Sequence, residues 1–429
     1  MAGTNSNSQN ILLPLATICG LFFIFGFVTW ANAPLIPFFK LSFGLSDTQA
    51  FLVTFSSYIA YFFLALPSSW ILKKTGFKNG LILGLIVLAL GSLIFIPAAR
   101  SRSFELFLGG IFVQGAALAL LQTAANPYLS IIGPIESAAK RISMAGICNK
   151  FAGMIVPFIM GALFMKNAAE TEAKITAATG SEKEQLLSDV LARVNTPYIV
   201  LAVVFVLFAL LIKTLHLPEV NPEEDVVDEA SGEVVHHKSV FQFPHLFLGA
   251  LCIFVYVGAE VMAGDVIGIY GKELGIHADV AKYLSSLTLG GMLLGYVVGI
   301  FTIPKLISQQ FALRICALLG IAFSIIAYFG SGYTSVIFIA LLGLANSLMW
   351  PAIFPLGISH LGKFTKTGSA IMIMGIAGGA ILPLTYGYIK DHLGVNFQLA
   401  YFILVLPCYL YILYFAVSGH KVGLSRLKK

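Results

Sequence analysis

Apolar stretches close to the ~20 residues that cross a bilayer recur along this chain, separated by short polar breaks. They predict helices over residues 11–39, 47–72, 79–98, 104–132, 140–165, 196–216, 244–271, 281–303, 311–330, 333–360, 367–389 and 397–418, numbered below as spans 1 to 12. Runs such as Gly80 to Ile96 lack the strict polar–apolar alternation of a membrane β-barrel. Backbone polar groups in lipid must be satisfied within each segment, so the spans are expected to be helices. The pattern predicts an all-α membrane protein with twelve transmembrane helices.

Composition supports this reading. The chain is 58% hydrophobic and 11% charged, with a mean hydropathy of +0.90. A soluble domain carries about 25% charged residues, so a water-soluble core is excluded. The net charge of +6 lies in short loops and the C-terminal tail, where topology explains it and nucleic-acid binding is not implied. An even number of spans puts both termini on one side. That side collects Lys73, Lys74, Lys78, Lys140, Arg141, Lys213, Lys305 and Arg314 together with the basic tail. Positive residues prefer the cytoplasm, so both termini are expected there, in a plasma (bacterial inner) membrane. The polar start, Met1 to Asn10, lacks a basic n-region, and span 1 reads as a retained helix. Cys19, Cys148, Cys252, Cys316 and Cys408 make no CxxC pair. They suggest neither a metal site nor a disulfide framework.

Two hydrophilic segments divide the chain. Residues 166–195 are expected outside. Ser181 and Glu184 form a capping-box pattern before Leu186, Leu187, Val190 and Leu191, which predicts a short amphipathic helix dispensable for the fold. Residues 217–240 carry Glu223, Glu224, Asp225, Asp228, Glu229 and Glu233 and read as an acidic cytoplasmic linker. It separates an N-terminal six-helix half, 1–216, from a C-terminal half, 241–429. The halves echo each other. Gly153, Pro157 and Gly161 in span 5 repeat as Gly379, Pro383 and Gly387 in span 11. Gly115 and Pro127 in span 4 repeat as Gly343 and Pro355 in span 10. The two offsets nearly agree, which predicts two pseudo-symmetric six-helix bundles with a ligand between them near the midplane.

Polar residues inside lipid are costly and mark work sites. Span 1 carries Trp30 and Asn32 before Pro34. An indole stacks on the apolar face of a sugar and an amide serves its hydroxyls; an interfacial Trp beside a proline kink would look the same. Span 4 carries Gln114, Gln122 and Asn126. The last two are four apart, on one helical face, and offer donors and acceptors to a neutral polyol; hydrogen bonding between helices is the plainer alternative. Span 10 carries Asn346 and Trp350 at the same spacing, and Trp350 coincides with Gln122 under the repeat. Span 5 carries Asn149 and Lys150, the latter ~15 Å beyond the basic Lys140–Arg141 edge. It should need a carboxylate, a wet cavity or loss of its charge. Glu260 and Asp265 in span 7 are the acids placed inside the membrane. They lie ~140° apart on an ideal helix, with Asp265 expected to reach outer water and Glu260 not. Whether Glu260 meets Lys150 from the other half is open at this point.

Leu121-Gln122-Thr123-Ala124-Ala125-Asn126-Pro127-Tyr128 resembles the span-4 motif of the fucose–proton symporter family of the major facilitator superfamily. Trp30 to Pro37, Lys73 to Lys78, Arg141 to Asn149 and Tyr256 to Glu260 match further family patterns in order. The resemblance covers essentially the whole chain and implies the major facilitator fold and sugar transport. It implies sugar contact for Asn149. The fucose symporters have acidic residues where this chain has Ala33 and Gln122, so their specificity and proton relay do not carry over. Gln122, Lys150 and the span-7 acids are more similar to the glucose/galactose-type permeases.

The expectation is a secondary active transporter, not an enzyme, that imports a neutral hexose by alternating access as a monomer in the lipid bilayer. Trp30, Asn32, Gln122, Asn126, Asn149, Asn346 and Trp350 would bind the sugar. Glu260, Asp265 and Lys150 would couple it to a proton or to a sodium ion as co-substrate, with no other cofactor. An uncoupled facilitator, a transporter of fucose, mannose or N-acetylglucosamine, a polyspecific efflux pump and a non-transporting sugar receptor are the rival readings.

Overall fold

The computed structural model describes residues 12–131, 138–164, 166–215 and 239–424. The greater part of the acidic linker lies outside the described residues. Among the described residues there is no strand, and eleven helical segments are long and apolar enough to cross a membrane. One of them, Leu52–Ser101, is 50 residues long and is two spans. Spans 2 and 3, expected to be separated by a turn over 73–78, are joined at a single non-helical residue, Gly76, with φ 76° and ψ 172°. That conformation is essentially open to glycine alone. Counted so, the described residues hold the twelve spans expected.

Several spans are broken where proline or a tight crossing intervenes. Span 1 is Leu12–Trp30 followed by Asn32–Phe43. Span 7 is Pro244–Gly264 followed by Ile267–Glu273. Span 10 is Gly332–Asn346 followed by Met349–Ile358. Spans 4, 5, 6, 8, 9 and 12 are Phe104–Ile131, Ala138–Phe164, Asn195–Thr214, Leu284–Thr302, Gln309–Phe329 and Phe397–Val417. Span 11 runs through Thr365–Met374 and Gly378–Leu393 with a 3₁₀ turn between. The outward faces are apolar: Leu207, Leu294, Phe301 and Leu410 are half or more exposed, as lipid-facing side chains must be.

Spans 1 and 5 pack together, as do spans 2 to 4 and 6; spans 7, 10, 11 and 12 form a second cluster. Span 5 meets spans 8 and 10, and span 2 meets span 11. These crossings bring the first six spans against the last six.

The end of the bundle opposite the termini, here the distal end, is closed by charge. Asp47, 3% exposed, is bridged by Lys40 of span 1 and Lys390 of span 11, and Lys390 also pairs with Glu273 of span 7. The backbone N–H and the hydroxyl of Thr48 each donate to Asp391 at 2.7 Å. The 166–195 segment covers this end as two helices, Ala168–Ala177 and Gly180–Ala192. The second is amphipathic as expected and buries Leu187, Val190 and Leu191. Its N-cap is Thr179, without a side-chain bond, so the predicted Ser181 box does not form: helix begins at Gly180, leaving Ser181 already inside. Arg102 pairs with Glu184 and Lys272 with Glu172 at 3.7 Å, tying the hairpin to both sets of spans.

Candidate functional site

A central cavity lies where spans 1, 2, 4 and 5 face spans 7, 8, 10 and 11. It offers about 80 Å³ to the centre of a water molecule, room for several waters. Trp30, Gln122, Asn126, Asn149, Lys150, Glu260 and Trp350 line it, together with Thr29, Tyr58, Tyr61, Tyr256 and Tyr296.

Span 4 is continuous at this depth, so the four-residue spacing of Gln122 and Asn126 survives and both face the cavity. Gln122 Nε2 donates to Tyr61 Oη at 2.9 Å, and Asn126 Nδ2 donates to the Gln122 carbonyl at 3.0 Å. Trp30 is not at an exposed interface; it is 1% exposed and wedged between spans 5 and 7. Two glycines make its slot. A Cβ on Gly153 would lie 2.4 Å from the indole, and one on Gly264 would lie 2.3 Å from it. Trp30 Nε1 points to Asn149 Oδ1 at 3.4 Å. On the opposite wall Trp350 stacks on Phe354 with ring centroids 5.7 Å apart.

The charges meet across the cavity. Lys150 Nζ lies 2.7 Å from Glu260 Oε1, with both side chains 9% exposed. The ammonium also sits 4.7 Å from the centre of the Trp30 ring, a cation–π distance. The sequence left this pair open; the crossings that set the first six spans against the last six bring the two residues together.

Three expected residues stand elsewhere. Asn32 is 3% exposed and does not line the cavity; it opens the second helix of span 1, past the break at Ala31. Asn346 accepts from Tyr409 Oη at 2.9 Å inside the second cluster. Its four-residue spacing from Trp350 fails because span 10 is interrupted at Ser347 and Leu348. Asp265 was expected nearer to water than Glu260; it is the more buried, 2% against 7% exposed, since the second helix of span 7 buries Ile267 and Tyr270 beyond it. Gln114 donates to Ser92 Oγ at 2.8 Å and serves packing. The tyrosines were missed. Their signal was present in Tyr58 and Tyr61, three apart in span 2.

Among the described residues no cluster of metal-ligating side chains occurs. A twelve-span bundle with a polar cavity held between two helical clusters defines a transporter of the major facilitator class, and the chain belongs to the Major Facilitator Superfamily, whose family model matches residues 18–383. It is 34% identical over 420 residues to the glucose/galactose transporter of Brucella abortus, covering 97% of this chain and 96% of that one. It is 31% identical over 394 residues to the L-fucose-proton symporter of Escherichia coli, covering 90% and 89%. The crystal structure of the transporter FucP in the outward conformation matches with a TM-score of 0.74 at 30% identity, over 94% of this chain and 97% of that one.

Proposed function

We propose that this chain is a sugar–proton symporter that imports a neutral hexose of the glucose/galactose type by alternating access. It would work in the plasma membrane with both termini cytoplasmic, which makes the distal end the outer end. The halves 1–216 and 241–429 would rock about the central cavity.

The observation that carries this is the meeting of two chemistries in one cavity. Amides from spans 4 and 5 and indoles from spans 1 and 10 suit a ring that is apolar on its faces and hydroxylated at its rim. The Lys150–Glu260 pair joins the two halves beside them. A proton on Glu260 would release Lys150, and a state change would follow from the altered charge. Names of the relatives support a sugar and a proton; Ala33 and Gln122 cannot titrate, so coupling falls to the acids of span 7. The protein would act as a monomer without a bound cofactor.

The test is uptake into proteoliposomes of labelled glucose, galactose, fucose, mannose and N-acetylglucosamine, with proton and sodium gradients imposed separately. Glucose and galactose should accumulate under the proton gradient alone. Accumulation under sodium alone, or equilibration without accumulation under either, would refute the coupling. A preference for lipophilic cations would favour an efflux pump.

A further inference from the structure

Asp265 ends the first helix of span 7, five residues beyond Glu260 on the distal side. It is 2% exposed, and neither oxygen of its carboxyl group has a hydrogen-bond partner. The titratable groups that face it are Glu260 on its own span, Lys150 from span 5 and Tyr58 from span 2. Lys150 is already held by Glu260 at 2.7 Å. Trp30 packs against the neighbouring Gly264. An ionised carboxylate in such surroundings, without one donor, is among the costliest groups a protein can bury.

Asp265 does not line the cavity, and it lies on the side of Glu260 toward the end that the Asp47 ion network closes. Closing the distal end therefore requires the neutral acid. We infer that Asp265 makes this closure conditional on a proton: the protonated group permits the closed state, and the ionised group drives the distal end open. The inference rests on the coupling proposed above and gives it a direction. In the open state Asp265 takes a proton from outer water and the distal end shuts. Asp265 keeps the proton while the distal end is shut; once the inner end has opened, the proton passes to the Glu260 carboxylate, freeing Lys150, and Glu260 releases it to inner water. The two acids are left as they began, both ionised, and the unpartnered charge on Asp265 returns the molecule to the outward-open state. Asp265 is thus a proton-carrying residue and a gate condition at once.

The experiment reads conformation and transport separately. Spin labels are placed through Lys183→Cys and Leu393→Cys, both exposed distal positions contributed by different halves; the native cysteines are buried or half-buried. In otherwise wild-type protein, the distance distribution between the labels should shift toward the longer, open population as pH rises. With Asp265→Asn added, which is neutral at every pH, the short population should persist and its pH dependence should vanish. The same variant should keep counterflow of labelled galactose and lose proton-driven accumulation. Asp265→Glu, which titrates, should restore the pH dependence. A wild-type distribution that does not respond to pH, or an unaltered response in Asp265→Asn, would overturn the inference even if the protein moves no sugar. Absence of sugar counterflow in wild-type protein, with the pH response intact, would instead overturn the proposed function.

Discussion

Glu260→Gln separates what the buried ion pair does for stability from what it does for transport. The substitution keeps size and shape but leaves Lys150, 7% exposed, as a lone buried cation. Removing one partner of a buried pair costs about 3–5 kcal/mol. The Trp30 ring 4.7 Å away and the new amide oxygen still favour the ammonium, and Lys150 lines the cavity, so the expected loss is near the lower figure, about 3 kcal/mol. That is roughly a 150-fold fall in the folded-to-unfolded ratio. Thermal unfolding of purified protein in detergent should show a clear drop in midpoint. Adding Lys150→Met removes the orphaned charge, and neutral replacements of buried pairs are often no less stable than the pair itself, so the double variant should recover most of the loss. Transport should behave differently. Neither the single nor the double variant should accumulate sugar under a proton gradient, and the double variant should retain counterflow. A single variant as stable as wild type would show that the pair has no net electrostatic role. A double variant that still concentrates sugar would remove Glu260 and Lys150 from coupling altogether.

Three further outcomes are expected. Gln122→Ala and Asn149→Ala should each weaken sugar binding by about 1 kcal/mol, the worth of one hydrogen bond, or roughly fivefold in Kd by titration calorimetry; unchanged affinity in both would take them out of the site. Lys390→Met removes the bridge between the halves at Asp47, leaving Asp47 with Lys40 alone and Glu273 without Lys390, so the distal labels described above should move toward the longer distance, and an unchanged distribution would mean that the charges do not hold that end shut. Gly264→Val puts methyl groups where a Cβ alone already lies 2.3 Å from the Trp30 ring; overpacking of this kind costs about 1–3 kcal/mol, and a variant with wild-type unfolding midpoint and sugar affinity would show that the indole is not tightly held.

The twelve spans were legible because lipid leaves the backbone few choices and apolar length alone reports a crossing. Gln122 and Asn126 were legible for a related reason: helix periodicity holds across span 4, so spacing translates into a shared face. It failed for Asn346 and Trp350, where the helix stops at Ser347 and Leu348, and for Asp265, whose burial depends on a second helix in the same span. Pro351, which cannot donate to the Ser347 carbonyl, was the one local sign of the first break; no local pattern announced the second. The Lys150–Glu260 contact and the bridging of Asp47 by Lys40 and Lys390 are tertiary facts, set by which spans cross. The fate of Ser181 was decided by a start two residues earlier, with Thr179 in place of Ser181 as the N-cap, a shift that sequence boundaries do not resolve.

Gly76 has a mechanical consequence. Two membrane crossings meet there with no slack between them, and a larger residue would have to adopt a backbone conformation reserved for glycine. Spans 2 and 3 therefore form a folded strut whose corner cannot lengthen. Span 2 touches span 11 across the cavity while span 3 packs within the first six spans. Any tilt imposed on one arm must be taken up by the other. Lys73, Lys74 and Lys78 surround the corner and favour one membrane surface, so the strut pivots about a pinned point. Inserting even a single residue beside Gly76 would give the arms independent travel, and a cycle that needs them to swing together would lose its stroke.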